Sequence, residues 1–231
     1  MKIRQNQPNR YLILLSIVTL VVMIQSCSES ENTQIQTLAA QAEQTGLAAV
    51  KTEAAHLRET AQAQIATKAA DVFATLVASQ IRDAIIRRAN SWVVAQVPYN
   101  QEDTHDDYRT DCSGFVSYAW QLQENGHPVS PDTVALGQYW TIDISFKELQ
   151  SGDIVNNEKS GDYGHVVIFS RWLDDSHSKF EAYEENWSMG KAIISTLTLI
   201  VLDNGQYIIE EFELYTAAKG PYYAQKSKTV P

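Results

Sequence analysis

The chain has 231 residues and a mass of 25.9 kDa, room for one ordinary core and some additions. Hydrophobic residues make up 44% and charged residues 20%, which excludes a disordered polymer, and 10 glycines and 6 prolines exclude collagen-like or Pro-rich architectures. A formal net charge of −10 argues against nucleic acid as a partner, and two cysteines, Cys27 and Cys112, exclude a disulfide scaffold or an all-cysteine zinc site.

The first residues read as an address. Lys2, Arg4 and Arg10 form a basic start, and Tyr11 to Ile24 is an apolar run of 14 residues broken by Ser16 and Thr19. A membrane-spanning helix needs about 20 residues, a secretory signal about 7–15. Residues 1–26 are therefore expected to be a signal peptide, ending in Ile24-Gln25-Ser26-Cys27. That ending resembles a bacterial lipoprotein box, which implies cleavage before Cys27, lipid on its sulfur and anchorage to a membrane of the bacterial cell envelope. Processing as an ordinary secretory signal would instead leave the protein secreted. Cleavage removes three of the 18 basic residues and none of the 28 acidic ones, so the net charge moves from −10 to −13. Lipid, not surface charge, would then hold the chain to a membrane.

Residues 27–80 read as a helical spacer. Residues 28–34 are polar and suggest a flexible leader, while residues 39–78 hold fourteen alanines, the strongest helix former. Val50, Ala54, Leu57, Ala61, Ile65, Ala69, Val72 and Leu76 recur at steps of three and four. We read this stripe as lacking a fixed repeat and as too thin for a strong coiled coil. It suits either a stalk that holds a head away from a membrane or a helix packed on the domain. From Ile85 the pattern strengthens: Ile85, Ile86, Ala89, Trp92, Val93 and Gln96 form an amphipathic helix stopped by Pro98. The globular domain is placed at 81–231.

Three stretches of that domain carry chemistry. In the first, Arg109-Thr110-Asp111-Cys112-Ser113-Gly114-Phe115-Val116, the apolar spacing predicts a helix and Asp111 is a plausible N-cap. Cys112 then lies on the first helical turn, where free N–H groups and the helix dipole favour a thiolate nucleophile. An inert, buried thiol is the alternative. In the second, Leu149-Gln150-Ser151-Gly152-Asp153-Ile154-Val155 and Gly164-His165-Val166-Val167-Ile168-Phe169 each read as a turn and a strand. Val166 to Phe169 is apolar on both faces, so that strand is central and His165 stands at its start. Beside a helix-start cysteine, His165 is the expected general base and acid.

The third stretch, Phe180-Glu181-Ala182-Tyr183-Glu184-Glu185-Asn186-Trp187, is a strand whose alternation puts Glu184 and Asn186 on the buried face. Glu181 and Glu185 are expected on the solvated face. Either Glu184 or Asn186 could orient an imidazole. Asp103, His105, Asp106 and Asp107 read as a solvated acidic loop, since no calcium-loop pattern is present. After Trp187, Ala192 to Leu202 and Tyr207 to Leu214 flank Asp203-Asn204-Gly205-Gln206, a hairpin signal, and the tail from Ala217 could pack over the sheet.

Asp-Cys-Ser-Gly-Phe-Val, Leu-x-x-Gly-Asp and Gly-His-Val, in that order, resemble the NlpC-type cell-wall peptidases, papain-like cysteine hydrolases of peptidoglycan. The ending Tyr-Glu-Glu-Asn-Trp is more similar to the related CHAP amidase/peptidases, whose Cys and His are followed by Glu-x-Asn. The resemblance covers about Ile85 to Trp187. It implies an α+β fold with the nucleophile helix packed on an antiparallel sheet. It also implies catalytic roles for Cys112, His165, Glu184 and Asn186, and a substrate and oxyanion side formed by Tyr99, Asp111 and Ser113. The implied partner is the peptidoglycan stem peptide, cut at an amide bond with no cofactor and no metal. An amidase cutting between sugar and peptide, an acyl transferase, or a non-catalytic wall-binding lipoprotein are the alternatives. Val167 departs from the small residue usual two places after the NlpC-type histidine.

Overall fold

The computed structural model describes residues 29–215 and 218–229. The expected signal peptide and Cys27 lie outside the described residues. The chain divides into two units, Met1–Ala70 and Asp71–Pro231.

Helix α1 runs from Glu29 to Ala95 as one element of 67 residues. The segment 29–34, expected to be a flexible leader, is therefore helical. Its polar residues offer no helix breaker: neither glycine nor proline occurs between Glu29 and Gly46. In the first unit no residue of α1 from 36 to 70 is buried, so propensity rather than packing accounts for the helix there. In the second unit α1 changes character. Ile85, Ala89 and Trp92 are buried at 1% exposure or less, and Val97, just beyond the helix, is buried as well.

A short hairpin follows, β1 (Asn100–His105) with β2 (Tyr108–Thr110), whose turn residues Asp106 and Asp107 both have positive φ. The expected acidic loop is thus the tip of a hairpin, tied down by Trp92 Nε1 donating to Asp106 and by the His105 ring edge-on to Trp92. Helix α2 (Cys112–Trp120) comes next and ends on Gln121 in the left-handed region. A minimal hairpin, β3 (Gln123–Glu124) with β4 (His127–Pro128), leads onward to the main sheet.

That sheet has seven strands, all paired antiparallel: β5 (Thr141–Ile144), β6 (Ile154–Asn156), β7 (Val166–Trp172), β8 (Lys179–Asn186), β9 (Lys191–Val201), β10 (Tyr207–Ile209) and β11 (Tyr223–Ser227). Their spatial order is β10-β9-β8-β7-β6-β11-β5. The fold class is α+β, as expected from the sequence. The strand carrying Val166 to Phe169 is central, between β6 and β8, and those four residues are at most 2% exposed. Two expectations change. The second hairpin arm stops at Ile209, and Glu210–Tyr215 forms helix α3, because Phe212 turns inward toward Tyr222 and His165. The tail does not lie over the sheet but enters it, with β11 between β6 and β5.

The two faces of the sheet bury different clusters. On one, α1 and α2 supply Ile85, Ala89, Trp92, Phe115, Val116 and Ala119 against Ile154, Val166, Ile168 and Tyr183. On the other, Val155, Val167, Phe169, Phe180 and Ala182 pack with Phe212 and Tyr222. The parity of β7 and β8 explains the division, since successive side chains face opposite ways. The Leu149–Asp153 stretch ties the layers together. Arg82 donates from α1 to Asp153 at 2.7 Å and to the Ser151 carbonyl at 3.0 Å, and Trp120 Nε1 of α2 donates to the Gly152 carbonyl at 2.8 Å.

Candidate active site

Asp111 precedes α2 with extended backbone, and its side-chain Oδ1 accepts from Gly114 N at 2.8 Å while its carbonyl accepts from Phe115 N at 2.9 Å. This is the expected N-cap. Cys112 and Ser113 thereby occupy the first two helical positions, whose N–H groups have no partner inside a helix. Arg109 fixes the cap from outside: Nε donates to Asp111 Oδ2 at 2.5 Å, one terminal nitrogen to Ser113 Oγ at 2.8 Å and the other to the Ser130 carbonyl at 2.9 Å. Gly114 is required by the same packing, because a Cβ there would run into the Arg109 carbonyl.

His165 is delivered from the opposite side. Its backbone N–H donates to Asn157 Oδ1 at 2.8 Å, and Asn157 Nδ2 donates to the Tyr163 carbonyl at 2.8 Å, so one buried amide clamps the loop before β7. Gly164 must lack a side chain, since a Cβ would meet the Lys159 carbonyl and Thr133 Oγ1. Cys112 Sγ lies 4.0 Å from the Gly164 carbonyl. His165, 7% exposed, hydrogen-bonds Glu184 through its ring and lies close enough to Cys112 to feel its charge. The Glu184 contact is Nε2 to Oε2 at 2.8 Å, which leaves Nδ1 as the atom facing Cys112. Burial works against a charged ring, but hydrogen bonds and charges from Cys112 and Glu184 override it and raise His165 to about 10.

Glu184 is 1% exposed. Burial alone would push its carboxyl up, yet the His165 contact, the Ser195 hydroxyl and the Asn186 amide hold it below the usual carboxylate range. Ser195 donates to Oε1 from β9; it pairs with Ala182 and so sits diagonally across from Glu184 on the same face. Asn186 makes no hydrogen bond to the His165 ring. Its Oδ1 accepts from Met189 N at 2.8 Å, so it secures the turn after β8, and its amide is the smallest of the influences that keep the Glu184 carboxyl low. Of the two candidates for the third position, Glu184 holds the imidazole and Asn186 supports Glu184.

Tyr99 is half-buried, with its hydroxyl accepting from Gln101 at 3.3 Å. Burial first, and the charge of Cys112 second, push the phenol up to about 12, so it is neutral beside Cys112. Glu185 differs from expectation. Read from the sequence as a solvated acid, it is 0% exposed, and neither carboxylate oxygen has a hydrogen-bond partner among the described residues. Both faces of β8 are covered at this end, one by the sheet's own core and one by the α2 side, so alternation did not distinguish them. Burial, then the nearby charges of Asp111 and Glu184, push Glu185 up to about 8.

Two cavities meet at the Cys112–His165 pair. One of about 540 Å³ runs along the histidine side, lined among others by Tyr163, Trp187 and Phe212. One of about 270 Å³ lies on the cysteine side, with Arg109, Asp132 and Thr133. Tyr99, Gln101, Gly161 and Gly164 line both. The sequence reading missed Arg109, Asn157, Ser195 and Phe212. Arg109 and Gly164 were within quoted motifs; Asn157 and Ser195 become visible only once strands are paired. Compared with known proteins, the chain matches no protein-family model and no curated protein.

Proposed function

We propose that the protein is a cysteine hydrolase of papain-like, NlpC-type or CHAP-like fold that cleaves amide bonds in peptidoglycan stem peptides. The observation that carries this reading is a helix-start thiol beside one buried imidazole that hydrogen-bonds a buried carboxylate. Three groups in that order supply a nucleophile, a proton carrier and an orienting charge. The substrate class rests on the motif resemblance; a cleft open on both sides of the cysteine is consistent with a chain-like substrate.

The Cys112 thiolate attacks the scissile carbonyl carbon, and the N–H groups at the start of α2 receive the developing oxyanion. The protonated His165 Nδ1 gives its proton to the leaving nitrogen, the C–N bond breaks, and an acyl-thioester remains on Cys112. Neutral His165 then takes a proton from water, the hydroxide adds to the thioester, and Cys112 leaves as thiolate. Glu184 holds Nε2–H throughout and fixes which nitrogen faces the sulfur. The leaving amine departs on the His165 side, where the larger cavity lies.

The test is digestion of purified peptidoglycan by the protein, with products identified by mass. New amino and carboxyl termini within stem peptides are expected, and none from Cys112→Ala. A free muramic acid lactyl carboxyl would assign the amidase alternative. Unchanged peptidoglycan, with Cys112 alkylated no faster than a free thiol, would overturn the hydrolase reading.

A further inference from the structure

Residues 34–78 of α1 are three successive copies of a 15-residue repeat. Ile35, Val50 and Ile65 hold one position, Ala39, Ala54 and Ala69 a second, Ala42, Leu57 and Val72 a third, and Gly46, Ala61 and Leu76 a fourth. The period is therefore fixed, which corrects the reading of the stripe as irregular. Threonine recurs at 37, 52 and 67 and at 45, 60 and 75, and each of these six hydroxyls bonds the carbonyl four residues earlier. The four recurring apolar positions fall on one side of the helix. Four α-helical turns take about 14.4 residues, so a 15-residue period drifts slowly and keeps one stripe in contact if two helices wind right-handed.

The stripe is bare. Val50 is 65% exposed, Leu57 59%, Ile65 67%, Val72 59% and Leu76 57%. A continuous apolar stripe of this kind marks an interaction surface, and most helices draw their stability from such packing. Three features favour a second copy of this chain as the occupant. A helix with the same period stays in register along the whole stripe, whereas a helix with another period drifts off it. Alanine at 39, 54 and 69 lets two backbones approach at each repeat. The charges complement each other: Glu53 and Arg58 lie five residues apart on opposite flanks, so in a parallel pair Glu53 of each copy meets Arg58 of the other. Residues 34–78 carry four acidic and three basic side chains, so this segment escapes the acidic repulsion of the chain as a whole.

We propose that the protein is a parallel homodimer joined in register along residues 35–76 of α1, as a right-handed helix pair. This is independent of the hydrolase reading. The test uses the full chain with Cys27→Ser and Cys112→Ser, carrying a single new thiol. Val50→Cys and Ile65→Cys, on the stripe, should oxidise to disulfide-linked dimers about tenfold faster than Ala63→Cys, on the opposite face, because only the stripe brings like residues within disulfide reach. Sedimentation of the full chain in detergent should give twice the chain mass. In a second chain that keeps Cys112, Leu57→Glu combined with Ile65→Glu should return the monomer while leaving the Cys112 alkylation rate unchanged. A monomeric wild type, a larger assembly, or equal cross-linking at 50 and 63 would overturn the proposal.

Discussion

At the scale of single residues, the site turns on Glu184. Its carboxylate stabilises the charged imidazole and sets the ring tautomer, whereas Asn186 acts one bond further away, through Glu184 and the turn at Met189. Glu184→Gln should therefore lower the rate by about 10²–10⁴-fold, the range seen for general acid–base groups and their orienting carboxylates. Asn186→Ala should cost less. Because Glu184 helps to raise His165, the Gln variant should also lose its protonated ring at lower pH than wild type. The pH profile of Cys112 alkylation reads this without any substrate. An unshifted profile would remove Glu184 from the role. The cysteine, the cap and the histidine were legible in the sequence because each rests on a local signal, a helix start or a strand start. Glu185 was not legible: alternation assigns a face, but says nothing about what covers that face.

Elements meet at two glycine-dependent joints and one buried ion pair. Gly114 brings α2 against the Arg109 carbonyl, and Gly114→Ala should destabilise the second unit by about 1–3 kcal/mol, the usual cost of overpacking. Chemical denaturation measures it; a neutral change would mean the helix start can shift without cost. Arg82 and Asp153 join α1 to the turn before β6, with side chains 10% and 3% exposed. Burial raises the Asp153 carboxyl despite this partner, so the charge is costly and depends on Arg82. Arg82→Ala should destabilise by about 3–5 kcal/mol, because it strands a carboxylate inside the fold. A loss below about 1 kcal/mol would show that Asp153 simply takes up a proton. Sequence patterns gave β6 to β9 because alternation or continuous apolar character marks them. They gave neither α3 nor β11. Glu210–Tyr215 becomes helical through the docking of Phe212, and Tyr223–Ser227 has no alternation of its own and is a strand only through its neighbours.

For the whole molecule, two buried groups give stability the same slope with pH. Glu185 holds its proton to about 8 when folded and to about 4.3 when unfolded, so the folded state binds more protons in that window. Stability must fall as pH rises from about 4.3 to 8 and level off above it, as far as this group is concerned. His165, raised to about 10, contributes stability that is complete below its unfolded value near 6.5 and is lost as pH climbs through 10. The thermal midpoint should decline from mildly acidic to alkaline conditions. Glu185→Gln should flatten the part below 8, melting well above wild type at pH 8 and close to it at pH 4.5. Parallel curves for the two proteins would show that Glu185 is ionised and solvated.

The place of β11 has a temporal consequence. It lies between β6 and β5, yet it follows every other strand in the order of synthesis. Until residues 223–227 have left the ribosome, β6 presents an open edge and β5 has no neighbour in the sheet. Translation that halts at residue 215 can already have made Cys112, His165 and Glu184, but not the strand that joins β5 to β6. Completion of the sheet is thereby tied to its last strand, and a prematurely released chain is exposed to proteolysis and to edge-to-edge association.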